Sequence, residues 1–182
     1  MIYLLEYDSV GTVQDRKTEH ERGRELLRFG LEKQYALQAM VRQESGEKPY
    51  LENIKDVYFN ISHSSGLVAC GIDEREIGID VEQIRPYDKR LMHRICTEEE
   101  IAYICGGNRD EEQIQNERFF RIWTLKESYL KATGQGLAVP MKEVSFVIDE
   151  SDPAMIRSNV SEWKFSQFRY AGRYMISQCR AC

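Results

Sequence analysis

The amino-acid sequence predicts an α+β fold made of two α+β halves packed side by side. One observation behind this prediction is the order of the elements, because a helix, a group of strands, a group of helices and a second group of strands follow one another. Another is composition: 182 residues, 42% of them hydrophobic and 30% charged, can bury a core between the size of one ordinary domain and two small ones. In addition, the four prolines do not cluster into a linker.

The first predicted element is a helix over 20–43. Leu27, Leu31 and Tyr35 recur in it at a spacing of four, which places them on one helix face. The stretch 45–49 has the composition of a turn and is expected to end the helix.

Three short strands are predicted next, over 57–62, 67–72 and 77–82, from their content of β-branched and aromatic residues. The charged turn 73–76 separates the last two. We expect these three strands to form the first half-sheet.

The remaining elements are predicted from caps and periodicity. Thr97, followed three residues later by Glu100, is typical of a capping box at a helix start. Gly134 suits a left-handed position at a helix end. The predicted helices cover 89–95, 97–105 and 112–132, and a second set of predicted strands covers 144–148, 163–170 and 174–178.

The net charge of the chain limits the kinds of molecule that it is expected to bind. A net charge of −5 and a pI near 5.4 argue against a nucleic-acid binder whose affinity depends on neutralising phosphates. The apolar start of the chain is interrupted by Glu6 and Asp8, so neither a signal peptide nor a membrane-spanning segment is predicted. We therefore expect a cytoplasmic protein that binds neither nucleic acid nor membranes.

The five cysteines are odd in number and irregularly spaced, which does not predict a disulfide framework. Cys179 and Cys182 form a CxxC motif, which could supply half of a zinc site or a redox pair. No second CxxC exists, and His20, His63 and His93 are scattered, so an ordinary pair of reduced cysteines is the preferred interpretation.

Two carboxylates of the segment 78–82, Asp80 and Glu82, stand two residues apart on a predicted strand. Both should therefore point to one face, while Ile79 and Val81 point to the other. Two adjacent carboxylates suit magnesium, which prefers oxygen ligands together with water and substrate phosphate. Alternating acidic and apolar residues are also typical of any half-exposed strand.

A second polar stretch, 59–66, crowds Ser62, His63 and further hydroxyls around the end of a predicted strand. Such donors can bind an anion. They can equally satisfy backbone groups at a strand terminus.

The third stretch lies on the predicted helix 112–132. Thr124, Glu127 and Lys131 share one helix face, and Glu127 stands four residues before Lys131. Taken alone, this spacing is typical of a surface ion pair.

In this order and spacing the three stretches resemble the signature of the surfactin-type phosphopantetheinyl transferases. That signature is a strand ending in asparagine, a hydrophobic residue, serine and histidine, then GIDxE, then W-(S/T)-x-K-E-(S/A)-x-x-K. Lys48–Tyr50 and Gly134–Leu137 also resemble the family's KPY and GxGL segments. The resemblance covers roughly 24–137 and the closing strands more loosely.

The resemblance implies a function and a site. The protein would transfer the 4'-phosphopantetheine arm of coenzyme A to a serine of an apo-carrier protein (acyl, peptidyl or polyketide), releasing 3',5'-ADP. Magnesium would be held by Asp80, Glu82 and Glu127. Asp80, Glu127 and Lys131 are the implied catalytic residues. The implied contacts to coenzyme A are Arg24, with Arg22 as a rival, Lys48, Ser62, His63 and Lys131.

The resemblance also implies two similar halves in a pseudo-twofold arrangement, with the active site in the cleft between them. We expect the halves to be 1–85 and 86–182, in a monomer that contains one site. A basic stretch, 85–95, is expected to dock the acidic carrier through Lys89, Arg90 and Arg94, with apolar contact from Leu91, Met92 and Ile95. Two alternatives remain open: a non-catalytic protein that binds coenzyme A or a carrier protein, and a magnesium-dependent phosphohydrolase.

Overall fold

The structure, a computed structural model, describes residues 1–8, 13–106, 112–136, 140–152 and 154–182. Leu137 of the predicted GxGL segment lies outside these residues. The helices are α1 (Val13–Tyr35), α2 (Lys89–Ile95), α3 (Glu98–Cys105) and α4 (Glu112–Thr133), with a short 3-10 helix at Met141–Glu143. The strands are β1 (Ile2–Glu6), β2 (Val41–Arg42), β3 (Tyr50–Leu51), β4 (Tyr58–Ser64), β5 (Leu67–Asp73), β6 (Ile77–Gln83), β7 (Phe146–Ile148), β8 (Ile156–Ser158), β9 (Trp163–Tyr170) and β10 (Tyr174–Ala181).

Two antiparallel three-stranded sheets form the frame of the protein, in the orders β1-β5-β4 and β6-β10-β9. Helix α1 packs on the first sheet and helix α4 on the second, each burying a separate apolar cluster. Each half therefore runs strand, helix, strand, strand, and its last strand lies in the middle of its sheet. The predicted α+β fold is confirmed, and so is the likeness of the halves in connectivity. Their pseudo-twofold relation stays a prediction.

The prediction that β6 completes the first sheet is wrong. Both edges of β5 are occupied, because Gly71 pairs with Ile2 of β1 on one side and with Asn60 of β4 on the other. Strand β1 is not among the predicted elements, because its short apolar run shows no alternation. Strand β6 pairs instead with β10, with Asp80 opposite Ser177. The division of the chain after residue 85 stays a prediction, and it would separate β6 from its partners in the ladder.

The local signals in the sequence are mostly confirmed. Thr97 and Glu100 form the capping box of α3, and Gly134 takes a positive φ of 69° just after α4. Helix α1 is displaced from its predicted range, because it already includes Val13 and ends where Ala36 takes a φ of 52°. Strands β2, β3 and β8 were not predicted, since each has only two or three residues. In the described ranges, no helix has the length and hydropathy needed to cross a membrane.

Candidate active site

Strand β6 separates its side chains into an apolar and an acidic face, as predicted. Ile79 and Val81 are buried in the apolar cluster between the two sheets. Asp80 and Glu82 make their contacts with the polar side chains of β4, on the other face. The carboxylates therefore lie along the boundary between the halves.

Asp80 is the most deeply buried acid of this group, with 5% of its side chain exposed. One oxygen, Oδ1, accepts hydrogen bonds from Ser62 Oγ at 3.0 Å and from Lys131 Nζ at 2.6 Å. The other, Oδ2, is buried without a hydrogen-bond partner. Burial raises the pKa of Asp80, although the charge and hydrogen bond of Lys131 oppose the rise. A buried carboxylate oxygen without a hydrogen-bond partner is costly, and it is available to bind a ligand.

Glu82 lies two residues further along β6, at the more open end of the site. Its Oε2 accepts hydrogen bonds from Ser64 Oγ at 3.1 Å and from Arg85 Nη1 at 2.9 Å. Its side chain is 21% exposed. Glu82 is thus held by neighbours on β4 and on its own chain segment, and it remains accessible.

Helix α4 crosses β6 at Gly78, which explains why the third acid is near. A Cβ atom at Gly78 would lie 2.0 Å from the carbonyl oxygen of Ser128 and 2.3 Å from the backbone nitrogen of Ala132. Only glycine allows the strand and the helix backbone to approach this closely. The approach brings the face of α4 that carries Glu127 and Lys131 over the acidic end of β6.

Glu127 is influenced electrostatically by both acids of β6. Burial raises its pKa to about 7, with the negative charges of Asp80 and Glu82 adding to the rise and Lys131 opposing it. Strand β6 and helix α4 therefore place the three predicted metal ligands within electrostatic range of one another, although they do not form a closed metal-binding group.

Lys131 does not behave as the partner of Glu127 on an exposed helix face. Its ammonium group reaches across to β6 and β4, where it pairs with Asp80 and donates to Ser62 Oγ at 2.9 Å. It is therefore a cation inserted among carboxylates, and the interpretation of these two residues as a surface pair loses its basis.

His63 and Arg24 line a separate cavity of about 530 Å³ on the first half, together with His20 and Arg42. His63 Nδ1 lies 3.0 Å from Glu19 Oε2, and Tyr7 Oη donates to the other oxygen of Glu19. Burial lowers the pKa of His63, and Glu19 opposes this effect. Glu19 was not predicted, because an acid within a charged helix gives no signal that it is buried.

Lys48 and Ser62, the other predicted phosphate contacts, already have protein partners. Lys48 Nζ donates to Glu76 at 2.7 Å and to the carbonyl oxygens of Ile77 and Ala132, both at 2.9 Å. Lys48 also lines a cavity of about 250 Å³ that it shares with Glu127 and Lys131. The roles of Arg24, Lys48, Ser62, His63 and Lys131 in binding coenzyme A stay predictions.

Lys126, which precedes Glu127 in the sequence, has a different environment. Its side chain is 1% exposed and lies 2.9 Å from Glu100, the capping-box residue of α3. It also donates to the carbonyl oxygens of Met141 and Val144. Lys126 thus joins α4 to α3 and to the segment before β7, which fixes the rotation of the helix that carries Glu127.

Whether this site fits a metal ion can be judged from its donors. Within the described part of the chain, no three His, Cys, Asp or Glu side chains are grouped closely enough to hold a metal on their own. The unpartnered Oδ2 of Asp80 and the accessible Glu82 nevertheless offer hard oxygen ligands. Magnesium typically takes one or two carboxylates and completes its shell with water and substrate phosphate. The donor set fits such an ion.

Comparison with known proteins gives a consistent family match. A model of the 4'-phosphopantetheinyl transferase superfamily matches residues 76–179. The 4'-phosphopantetheinyl transferase Sfp of Bacillus subtilis (strain 168) is 35% identical over 124 residues, which cover 66% of this chain and 54% of Sfp. The 4'-phosphopantetheinyl transferase HetI of Nostoc sp. is 35% identical over 121 residues, which cover 63% of this chain and 49% of HetI. The resemblance to the surfactin-type enzymes is thereby confirmed.

The lengths and the known folds add two facts. The chain spans about half the length of the curated relatives it matches. Among solved structures, a holo-(acyl-carrier-protein) synthase of Thermotoga maritima superposes with a TM-score of 0.46 at 20% identity, covering 58% of this chain and 62% of that chain. A likeness at this level does not by itself establish a common fold.

Proposed function

Because this chain belongs to the 4'-phosphopantetheinyl transferase superfamily, we propose that it transfers the 4'-phosphopantetheine arm of coenzyme A to a serine of an apo-carrier protein. The observation that carries the proposal is the buried Oδ2 of Asp80, which has no hydrogen-bond partner, on a strand whose two acids both act electrostatically on Glu127 of α4. Lys131 inside this group supplies a positive charge next to the acids. Carboxylates and a lysine in one site suit phosphoryl-type chemistry, which depends on positioning and electrostatic stabilisation.

Magnesium is part of the proposal. Asp80 and Glu82 would hold it, with Glu127 either as a third ligand or through water. When bound, the ion would neutralise charge on the diphosphate of coenzyme A. The raised pKa of Glu127 is consistent with this arrangement, because a bound cation would favour the charged form that burial and the two acids of β6 disfavour.

Coenzyme A would lie across the boundary between the halves. The cavity lined by Arg24 and His63 offers cationic and hydrogen-bonding groups for its nucleotide end. The smaller cavity lined by Lys48, Glu127 and Lys131 would take the diphosphate and the start of the arm. Lys131 is already placed next to Asp80, so a phosphate oxygen arriving there would meet its ammonium group.

In the proposed reaction the serine hydroxyl attacks the β-phosphorus of coenzyme A. A bond forms between the serine oxygen and this phosphorus, and the bond from the phosphorus to the bridging oxygen breaks, so that 3',5'-ADP leaves. Glu127 would accept the serine proton, directly or through a water molecule. Its pKa of about 7 supports this role, because a general base is most effective when its pKa is close to the working pH. Lys131 would stabilise the charge on the phosphate oxygens.

The acidic carrier would dock on the basic face of α2. Lys89, Arg90 and Arg94 are all exposed, which supports this surface. The predicted apolar contacts need a correction, because Met92 and Ile95 are buried in the core of the second half, at 2% and 4% exposure. All three of these residues lie in the described part of the chain. Of the three, only Leu91 is partly exposed, so it is the one that a carrier could reach.

The test is to mix the protein with a panel of apo-carrier proteins, coenzyme A and magnesium, and to weigh the carriers by intact mass spectrometry. We expect one carrier to gain a single phosphopantetheine arm, with an equal amount of 3',5'-ADP released. Release of phosphate or nucleotide without a carrier would indicate a phosphohydrolase instead. Binding of coenzyme A with no change in any carrier's mass would indicate a non-catalytic binding protein.

A further inference from the structure

Strands β4 and β6 adjoin at the boundary between the halves, but they belong to different backbone ladders. Three side chains of β4 link them instead. Each accepts a hydrogen bond from a backbone N–H of β6 that lies 19 positions later in the chain, so the two strands run in the same direction in a constant register. The contacts are Ile79 N to Asn60 Oδ1 at 2.9 Å, Val81 N to Ser62 Oγ at 3.2 Å and Gln83 N to Ser64 Oγ at 3.2 Å.

We call the column of Asn60, Ser62 and Ser64 on β4 the seam. The hydroxyl groups of its two serines also contact the acids. Ser62 Oγ donates to Asp80 at 3.0 Å, and Ser64 Oγ donates to Glu82 at 3.1 Å. A serine hydroxyl has one hydrogen to donate and two lone pairs to accept with. In both residues the single hydrogen is given to a carboxylate, while the backbone of β6 fixes the oxygen.

These contacts define the positions of the carboxylates. Asp80 and Glu82 point to the same face of one strand, where their negative charges repel each other. Each seam hydroxyl holds one oxygen of one acid by a charge-assisted hydrogen bond. In Asp80 this leaves Oδ2 buried, without a partner and free to act as a ligand.

We propose that Ser62 and Ser64 are positioning residues, which hold Asp80 and Glu82 in the orientation that a divalent cation requires. This assignment rests on the proposed function, since the cation is the one that transfer would use. It also gives Ser62 a role other than contact with phosphate: its hydrogen goes to Asp80, and its lone pairs take Val81 N–H and Lys131.

Ser64 offers the sharper test, because it is less buried than Ser62 and does not contact Lys131. Ser64→Ala removes the hydroxyl, whereas Ser64→Thr keeps it and suits a strand. The matched control is Ser177→Ala on β10. Ser177 is a serine opposite Asp80 in the ladder and is more buried than Ser64, but its hydroxyl bonds to Thr124 and Gln167 rather than to an acid.

The measurement is the binding of Mn²⁺ to the metal-free protein, followed by electron paramagnetic resonance and by calorimetry, with thermal melting of every variant. Mn²⁺ prefers the same carboxylate and water ligands as magnesium. We expect Ser64→Ala to raise the Kd for Mn²⁺ about tenfold, the effect of losing one hydrogen bond to a charged group. Ser64→Thr should restore it, and Ser177→Ala should lower the melting temperature without changing the Kd.

Two results would overturn the assignment of Ser62 and Ser64 as positioning residues, and they have different consequences for the proposed function. If the wild type binds Mn²⁺ and Ser64→Ala binds it equally well, the seam only joins the strands and the proposed function stands. If the wild type binds no Mn²⁺, the proposed metal site fails together with the assignment.

Discussion

Glu127 is the residue in which the conflict between stability and chemistry is greatest. Burial and the charges of Asp80 and Glu82 all disfavour its ionised form, and Lys131 compensates only in part because it is paired with Asp80. Active sites commonly contain groups whose charge is costly to the folded state. Replacing Glu127 by a neutral residue of the same shape should therefore affect stability and activity in opposite directions.

The first prediction concerns the stability of the metal-free protein. The pKa of Glu127 rises from 4.5 to about 7 on folding, so the folded state holds this proton more tightly than the unfolded chain. The resulting stability is fully present below pH 4.5 and is lost as the pH rises through about 7. We expect Glu127→Gln to melt at a higher temperature than the wild type at pH 8 and at about the same temperature at pH 4. An equal difference at both pH values would contradict this.

The second prediction concerns the same variant in catalysis. Glu127→Gln keeps the shape of the side chain but removes a carboxylate that is proposed both as a metal ligand and as the base. We expect turnover with an apo-carrier and coenzyme A to fall roughly a hundredfold or more, as when one well-placed electrostatic group is lost. Turnover at the wild-type rate would show that Glu127 is an ordinary helix residue without a role in catalysis.

At the level of elements, the site depends on the contact of α4 with β6. Gly78 allows it, and the buried Lys126–Glu100 pair fixes the helix from its other side. Helix α4, strand β6 and the capping box of α3 were all predicted, because periodicity, alternation and caps are local signals. Glycine at position 78 carried no such signal. Its role depends on the helix backbone at Ser128 and Ala132, which is distant in the chain and reached only in the folded protein.

The third prediction tests this contact. In Gly78→Ala the new methyl group would overlap backbone atoms of Ser128 and Ala132, which cannot rotate away, so α4 must move or the protein must lose stability. We expect a loss of at least ~3 kcal/mol in the free energy of unfolding, measured by urea denaturation. Transfer should also be lost from the fraction that stays folded.

A suitable control for Gly78→Ala is Gly172→Ala. Gly172 has a φ of 68° and no atom within 4 Å of the added Cβ, so this change adds backbone strain without displacing an element. We expect it to cost about 1–2 kcal/mol and to leave transfer intact. If both variants lose the same stability and keep transfer, the close approach at Gly78 is not needed for the site.

For the whole molecule, the site is a product of how the halves meet. Ser62 and His63 lie next to each other on β4 but face different neighbours, Asp80 across the seam and Glu19 on α1. The sequence could predict the acids, since their spacing on β6 fixes one face. It could not predict that β6 leaves the first sheet, because that depends on β1 filling the edge of β5. Lys48, Ser62 and Lys131 gained partners that only the assembled halves provide.

The fourth prediction concerns carrier docking over the surface of the second half. Reversing Arg90 and Arg94 to Glu should raise the KM for the carrier and leave the KM for coenzyme A unchanged, since charge on an exposed surface mainly guides association. Arg157→Glu with Lys164→Glu is the control, because it makes the same change in net charge at exposed positions of β8 and β9. Equal effects of the two pairs would remove α2 as the docking surface.

The most direct test of Asp80 as the centre of the transfer site compares the wild type with Asp80→Asn. Circular dichroism first shows that the two proteins are equally folded. Each is then incubated with coenzyme A, saturating magnesium and the apo form of the carrier that the wild type modifies, and the carrier is weighed by intact mass spectrometry. Asparagine keeps the shape of Asp80 but removes the charge that pairs with Lys131 and that would bind magnesium. We expect the wild type to add one phosphopantetheine arm per carrier, a chelator to stop this transfer, and Asp80→Asn to add none. Transfer by Asp80→Asn at the wild-type rate would contradict this expectation.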